Sequence, residues 1–126
     1  MGRQYFRRPI NQYQERISST AQKIGPVGMS VLAITGSTAD KTVLLSRPLA
    51  FGDLKTLVCA STGVQKVTAT VDGSTLTGFF EGTTFRSIAF SSKSTQQRSA
   101  QLMSYSTGGA PKWSIVWKST GVTLAG

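Results

Sequence analysis

Five carboxylates, one thiol and no histidine make up the reactive side chains of this 126-residue sequence. Histidine is the commonest general base and the commonest metal ligand, so its absence removes most proton-transfer and metal chemistry at the outset. The single cysteine, Cys59, can form neither an internal disulfide nor a thiolate zinc site within one subunit. The acids are Glu15, Asp40, Asp53, Asp72 and Glu81, and no two of them stand two or three positions apart. A carboxylate pair for glycoside hydrolysis would have to be assembled by folding. Asp40, Asp72 and Glu81 lie beside turn signals, where an acid ordinarily closes or caps a turn.

Phosphate-binding loops fare no better. Gly2-Arg3, Gly108-Gly109 and the stretch from Gly78 to Gly82 lack the following helix and the Lys-Ser/Thr pair of a nucleotide site. The expectation is a protein that is no enzyme and carries no cofactor or metal.

Charge is the feature left to explain. The formal net charge is +9, with 14 basic and 5 acidic residues. Such an excess favours acidic partners: nucleic acid, an acidic protein surface or a membrane surface. It is densest in residues 1–24, where Arg3, Arg7, Arg8, Arg16 and Lys23 face Glu15 alone. Arginine mixed with Tyr5, Phe6 and Tyr13 can contact phosphates and stack on bases, so a nucleic-acid-binding β-barrel with a basic tail is the second reading. Against it, the strands that would carry a stacking platform are rich in Ser and Thr. Their aromatics (Phe79, Phe80, Phe85, Phe90, Tyr105, Trp113, Trp117) mostly alternate onto the face assigned to the core.

The elements that would position these residues read as strands. Ser and Thr fill 32 positions, about a quarter of the chain, whereas charged residues make up 15%. Threonine fits the pleat and serine fits turns. Short apolar runs recur: 31–34, 41–46, 54–60, 67–71, 85–90, 100–105 and 112–118, separated by Gly, Pro, Ser and Asp. In 67–71 the alternation is strict, with Val67, Ala69 and Val71 on one face. Asp72-Gly73 reads as a type I′ hairpin turn, returned by 74–78. In 112–118 the pattern puts Trp113, Ile115 and Trp117 on one face. Seven or eight short strands predict an all-β fold, an antiparallel sandwich or barrel. Cys59 belongs to its core.

Residues 1–28 are expected to form an N-terminal arm and 29–126 the β-rich domain, with Gly25-Pro26-Val27-Gly28 marking the boundary. Ile10, Tyr13 and Ile17 allow a short amphipathic helix over about 11–22, but an extended arm that orders against a neighbour is the favoured form. Met1–Pro9 carries no apolar run of a secretory leader, and no stretch is long and apolar enough for a membrane span, so no membrane partner is expected.

The second half has a recognisable shape. A Val/Thr strand and a Gly-Ser turn lead to Ser87-Ile88-Ala89-Phe90-Ser91. Then come Ser99-Ala100-Gln101-Leu102-Met103, a Gly-rich loop, and Lys112-Trp113-Ser114-Ile115-Val116-Trp117-Lys118-Ser119-Thr120-Gly121-Val122. Over residues 40–126 this resembles the β-modules of tailed-bacteriophage capsid decoration (cement) proteins and head fibres. The resemblance implies a virion component on the capsid surface, made in the host cytoplasm. It also implies a homo-oligomer, a trimer in the favoured form, that clamps neighbouring major capsid subunits; a tail or fibre subunit is the close alternative. On that reading the arm residues Arg3, Tyr5, Phe6, Arg7, Arg8 and Tyr13 bind the partner. Trp113, Ile115 and Trp117 pack the core or the subunit interface.

Overall fold

Strict two-residue alternation of buried and open positions runs through the centre of the chain, and it builds two packed sheets. The structure, a computed structural model, describes residues 14–35, 39–61, 66–72, 79–81, 83–91, 97–106, 108–109 and 111–125, with the backbone alone for 79–81 and 83–84. The strands are β1 (Gln14–Ile17), β2 (Gly28–Leu32), β3 (Lys41–Leu45), β4 (Leu54–Cys59), β5 (Lys66–Val71), β6 (Phe79–Glu81), β7 (Thr83–Phe85), β8 (Ser87–Ser91), β9 (Ser99–Tyr105), β10 (Lys112–Lys118) and β11 (Val122–Ala125). No helix occurs among the described residues.

One sheet has seven strands in the order β1-β2-β4-β9-β10-β6-β7, and the other has four in the order β11-β8-β5-β3. The fold is all-β, as expected, and it is an open sandwich: among the described residues each sheet keeps two free edges, so there is no closed barrel. The sheets are mixed where antiparallel pairing was expected. Four pairs (β1/β2, β2/β4, β3/β5 and β10/β6) are parallel. The reason is the path of the chain. From β2 to β6 successive strands alternate between the sheets, so β2 and β4, or β3 and β5, enter their common sheet in the same direction. Parallel neighbours need such a crossover; hairpins cannot supply one.

The expected hairpin at Asp72-Gly73 falls, apart from Asp72, outside the described residues. Both edges of β5 are taken, by β3 and β8, and the next described strand, β6, belongs to the other sheet. Residues 73–78, the proposed turn and return, lie outside the described residues. The run 85–90, read as one strand, is divided at Arg86: Phe85 ends β7 in the larger sheet and Ser87 begins β8 in the smaller. Arg86 N–H donates to Ala125 O.

Part of the expected arm is domain. β1 pairs with β2, Ile17 is 1% exposed and Ile24 fully buried. Gln14–Ile17 is a strand, so the helix that the spacing allowed over 11–22 does not form there. Between β1 and β2 the chain crosses to the smaller sheet, where Ile24 forms a bridge with Leu45. It donates its N–H to Leu44 O and accepts from Ser46 N–H. Of the three residues whose spacing suggested a helix face, Ile10 and Tyr13 lie outside the described residues, and Ile17 has a strand meaning instead. Ile17 and Ile24 reach the core from separate passes of the chain.

The core lies between the sheets. Leu32, Leu57, Ala100, Leu102 and Trp113 face inward from the larger sheet; Val43, Leu45, Val67, Ala69, Ile88 and Phe90 come from the smaller. Cys59, 6% exposed, is a free core thiol as expected. Trp113 is fully buried, and its indole N–H donates to Ser46 O at 3.2 Å, tying β10 to the end of β3. A buried indole needs such an acceptor.

Candidate interaction surface

The inner face of the larger sheet holds a polar group among its apolar neighbours. Lys55 alternates with Leu57 and Cys59, so the pleat of β4 points it inward and leaves it fully buried. Its Nζ donates to Ser30 Oγ at 2.6 Å and to Val27 O at 3.0 Å, and it lies 3.6 Å from Glu15 Oε1. Ser30 Oγ in turn donates to Glu15 Oε1 at 2.6 Å, and Gly25 N–H donates to the same oxygen at 2.7 Å. Burial pushes Lys55 down to about 8, although the Glu15 charge pulls it up. Burial pushes Glu15 up, but hydrogen bonds from Ser30 and Gly25 and the Lys55 charge outweigh it, leaving the carboxyl below its ordinary value.

A hydroxyl beside an amine of lowered pKa is the pairing that an acyl-transfer nucleophile needs. Here Ser30 and Lys55 are both sealed from solvent, so no substrate reaches them. What the cluster does is structural. It fastens β1, the 25–27 turn and β2 to β4.

Other acids are paired at the surface. Asp72 lies 2.5 Å from Lys23 Nζ and Asp40 lies 3.9 Å from Lys66 Nζ, both in exposed pairs worth little in water. Among the described residues no group of three or more His, Cys, Asp or Glu could hold a metal.

The outer face of the same sheet carries large apolar side chains. Met29, Leu54 and Met103 are 36–48% exposed. Register places them together: Met29 is opposite Thr56, Thr56 opposite Gln101, and Leu54 opposite Met103. Trp117 joins them through a bulge in β10. Trp113 pairs with Ser104 and Ile115 with Leu102, but Trp117 pairs with Gln101, the register slipping between Ile115 and Trp117. An extra residue, Val116, breaks the two-residue period there. Leu102 is a core residue and Gln101 is not, so Trp117 is turned to the outer face.

The three residues expected on one face therefore separate. Trp113 is core, Ile115 is partly buried against the core, and Trp117 is 43% exposed beside Val116. Of the other aromatics, Phe90 is buried, Phe85 packs against the core and Tyr105 is half-buried; the side chains of Phe79 and Phe80 lie outside the described residues. The arm residues Arg3, Tyr5, Phe6, Arg7, Arg8 and Tyr13 lie outside them as well.

Two adjoining grooves meet at Gly52. One, of about 440 Å³, is lined by Val27, Gly28, Asp53, Leu54, Thr56 and Gln101. The other, of about 530 Å³, is lined by Phe51, Ser104, Tyr105, Ser106 and Gly108. Phe51, in the second groove's lining, is 71% exposed. Ser104 fixes the turn that presents Phe51. Its hydroxyl donates to Ala50 O and accepts from Asp53 N–H, while its backbone exchanges bonds with Gly52 N–H and Asp53 O. Gly52 has φ +91°, a conformation that other L-residues adopt at a cost.

Sequence reasoning missed both features. Lys55 stands on the same two-residue face as Leu57 and Cys59, which was a readable sign of burial. The surface cluster had no such sign, because Phe51 comes from a loop and Trp117 from a bulge. The chain matches no protein-family model, curated protein or solved structure at a significant level.

Proposed function

We propose that this chain is a non-enzymatic structural protein of a virus particle. On this reading it is a capsid decoration or cement component that self-associates and attaches to major capsid subunits through its N-terminal residues. The observation that carries the assembly part is the outer face of the larger sheet. Large apolar side chains from β2, β4, β9 and β10 are grouped there beside two grooves, one of them lined by Phe51. Grouped exposed apolar residues mark surfaces that meet other protein, whereas single ones are ordinary. Placement on a capsid rests on the resemblance over 40–126.

Quantitative mass spectrometry of purified particles tests the reading. Copies in the hundreds per particle support a decoration protein. Tens or fewer move it to a tail or fibre position, and absence from the particle overturns the virion reading. A gel-shift assay with random DNA separates the nucleic-acid alternative, which predicts affinity that collapses steeply with added salt.

A further inference from the structure

The buried cluster behind β1 brings an amine and a carboxyl of the same chain into an acyl-transfer arrangement. No outside substrate can enter, and none is needed when Glu15 is the electrophile and Lys55 the nucleophile. Lys55 Nζ lies 3.6 Å from Glu15 Oε1, which is one bond from the carbon to be attacked. Two of its hydrogens are engaged elsewhere, by Ser30 Oγ and Val27 O. An ammonium has three donors, so the third position on the nitrogen is left for Glu15. Once that proton is gone, a lone pair stands there instead. Burial favours the neutral amine, bringing Lys55 down to about 8, and a desolvated lysine is an activated nucleophile.

The carboxyl is prepared in a matching way. Its Oε1 accepts from Gly25 N–H at 2.7 Å and from Ser30 Oγ at 2.6 Å. Both donors are aimed at the oxygen that gathers charge when its carbon becomes tetrahedral. Oε2 has no hydrogen-bond partner among the described residues, and no buried side-chain polar atom among them lacks one. Oε2 therefore meets solvent, and it is the oxygen placed to leave.

We propose that Lys55 Nζ and Glu15 Cδ join in an amide bond after the chain has folded, tying β1 to β4 covalently. The step balances within the cluster. The Nζ–Cδ bond forms and the Cδ–Oε2 bond breaks; Nζ keeps one of its three protons, and the other two depart with Oε2 as water. The reactive neutral pair carries the same number of protons as the ion pair, so transfer between the two groups is enough to reach it. Ionised Glu15 is the resting form, which makes the reaction slow, and the fixed proximity of the two groups lets it proceed. The titrations of Lys55 and Glu15 belong to the chain before the bond forms. Each molecule reacts once, on itself, so this is a self-ligation without turnover, and it stands apart from the particle reading above.

Intact-mass spectrometry of the full-length protein, followed over days at neutral pH, tests the proposal. The expected product is lighter by one water and accumulates in the folded protein but not in urea. Tandem spectra of a tryptic digest should place the join between the peptide holding Glu15 and the one holding Lys55. Lys55→Arg, which keeps the charge, should stay at full mass. Glu15→Gln should lose ammonia in place of water, and Ser30→Ala should slow the change several-fold. A folded wild type that keeps its full mass overturns the proposal. So does water lost elsewhere, such as a succinimide at Asp72-Gly73, or a mass loss that Lys55→Arg retains.

Discussion

The two faces of the seven-stranded sheet each carry an exception to the usual distribution of side chains. A sheet with one open face normally buries its apolar residues and shows its polar ones. Here β4 buries Lys55 and exposes Leu54, and the neighbouring strands expose Met29, Met103 and Trp117. On the inner face the polar intruder is satisfied at every atom: among the described residues no buried side-chain polar atom lacks a partner. That face is closed chemistry, serving to hold β1 in place. The outer face is open, with apolar area left over and grooves beside it. The difference separates what the fold needs for itself from what it presents to something else.

The comparison can be broken most severely from the inside. Trp113→Ala removes the largest buried side chain and its bond to Ser46; a loss of about 3–5 kcal/mol is expected in urea denaturation. Lys55→Ala leaves Glu15 with less compensation, and a loss of about 3 kcal/mol is expected, whereas Lys55→Met should cost much less because it removes the buried charge and fills the space. Equal losses for Ala and Met would show that packing, not charge, is what Lys55 supplies.

The same cluster sets a pH dependence. The folded-state pKa of Lys55, about 8, lies below its ordinary value of 10.5. Between these values the unfolded chain binds more protons than the folded one, so stability rises with pH across that window. A gain on the order of 1–3 kcal/mol is expected, and Lys55→Met should remove that rise. Glu15 acts in the opposite range. Its folded pKa is lowered, so its contribution is present above the ordinary carboxylate value and is lost as pH falls through the folded value. Urea midpoints from acid to pH 10.5, for wild type and variant, read both limbs.

A smaller effect sharpens the picture of the grooves. Gly52→Ala meets no atom within 4 Å of the added carbon, so its cost is backbone strain at φ +91°, about 1 kcal/mol. A thermal melt with no change would mean the turn relaxes and Phe51 is not held where it stands.

How much of this was legible varies by region. The all-β class and the inward rows of β5 and β4 follow from period-two alternation, and Cys59 stands in such a row. Alternation misplaces Trp117 because it predicts faces only while register is unbroken, and a bulge leaves no mark in a run such as Ile115-Val116-Trp117. β1 reads as arm because four residues with one buried isoleucine carry no pattern of their own; pairing with β2 and the Glu15 contacts supply what makes them a strand. Parallel pairing is illegible for a similar reason. It depends on which sheet each successive strand enters, and no local signal encodes that.

The most direct test of the central claim, that the outer face is an interface, is multi-angle light scattering on full-length wild type and Trp117→Arg. Trp117 is half-exposed, so the substitution should change stability by no more than about 0.5 kcal/mol. The account predicts a discrete oligomer for wild type that shifts toward monomer in Trp117→Arg with an unchanged circular dichroism spectrum. A wild type that stays monomeric over the accessible concentration range, or an oligomer indifferent to the substitution, would contradict it.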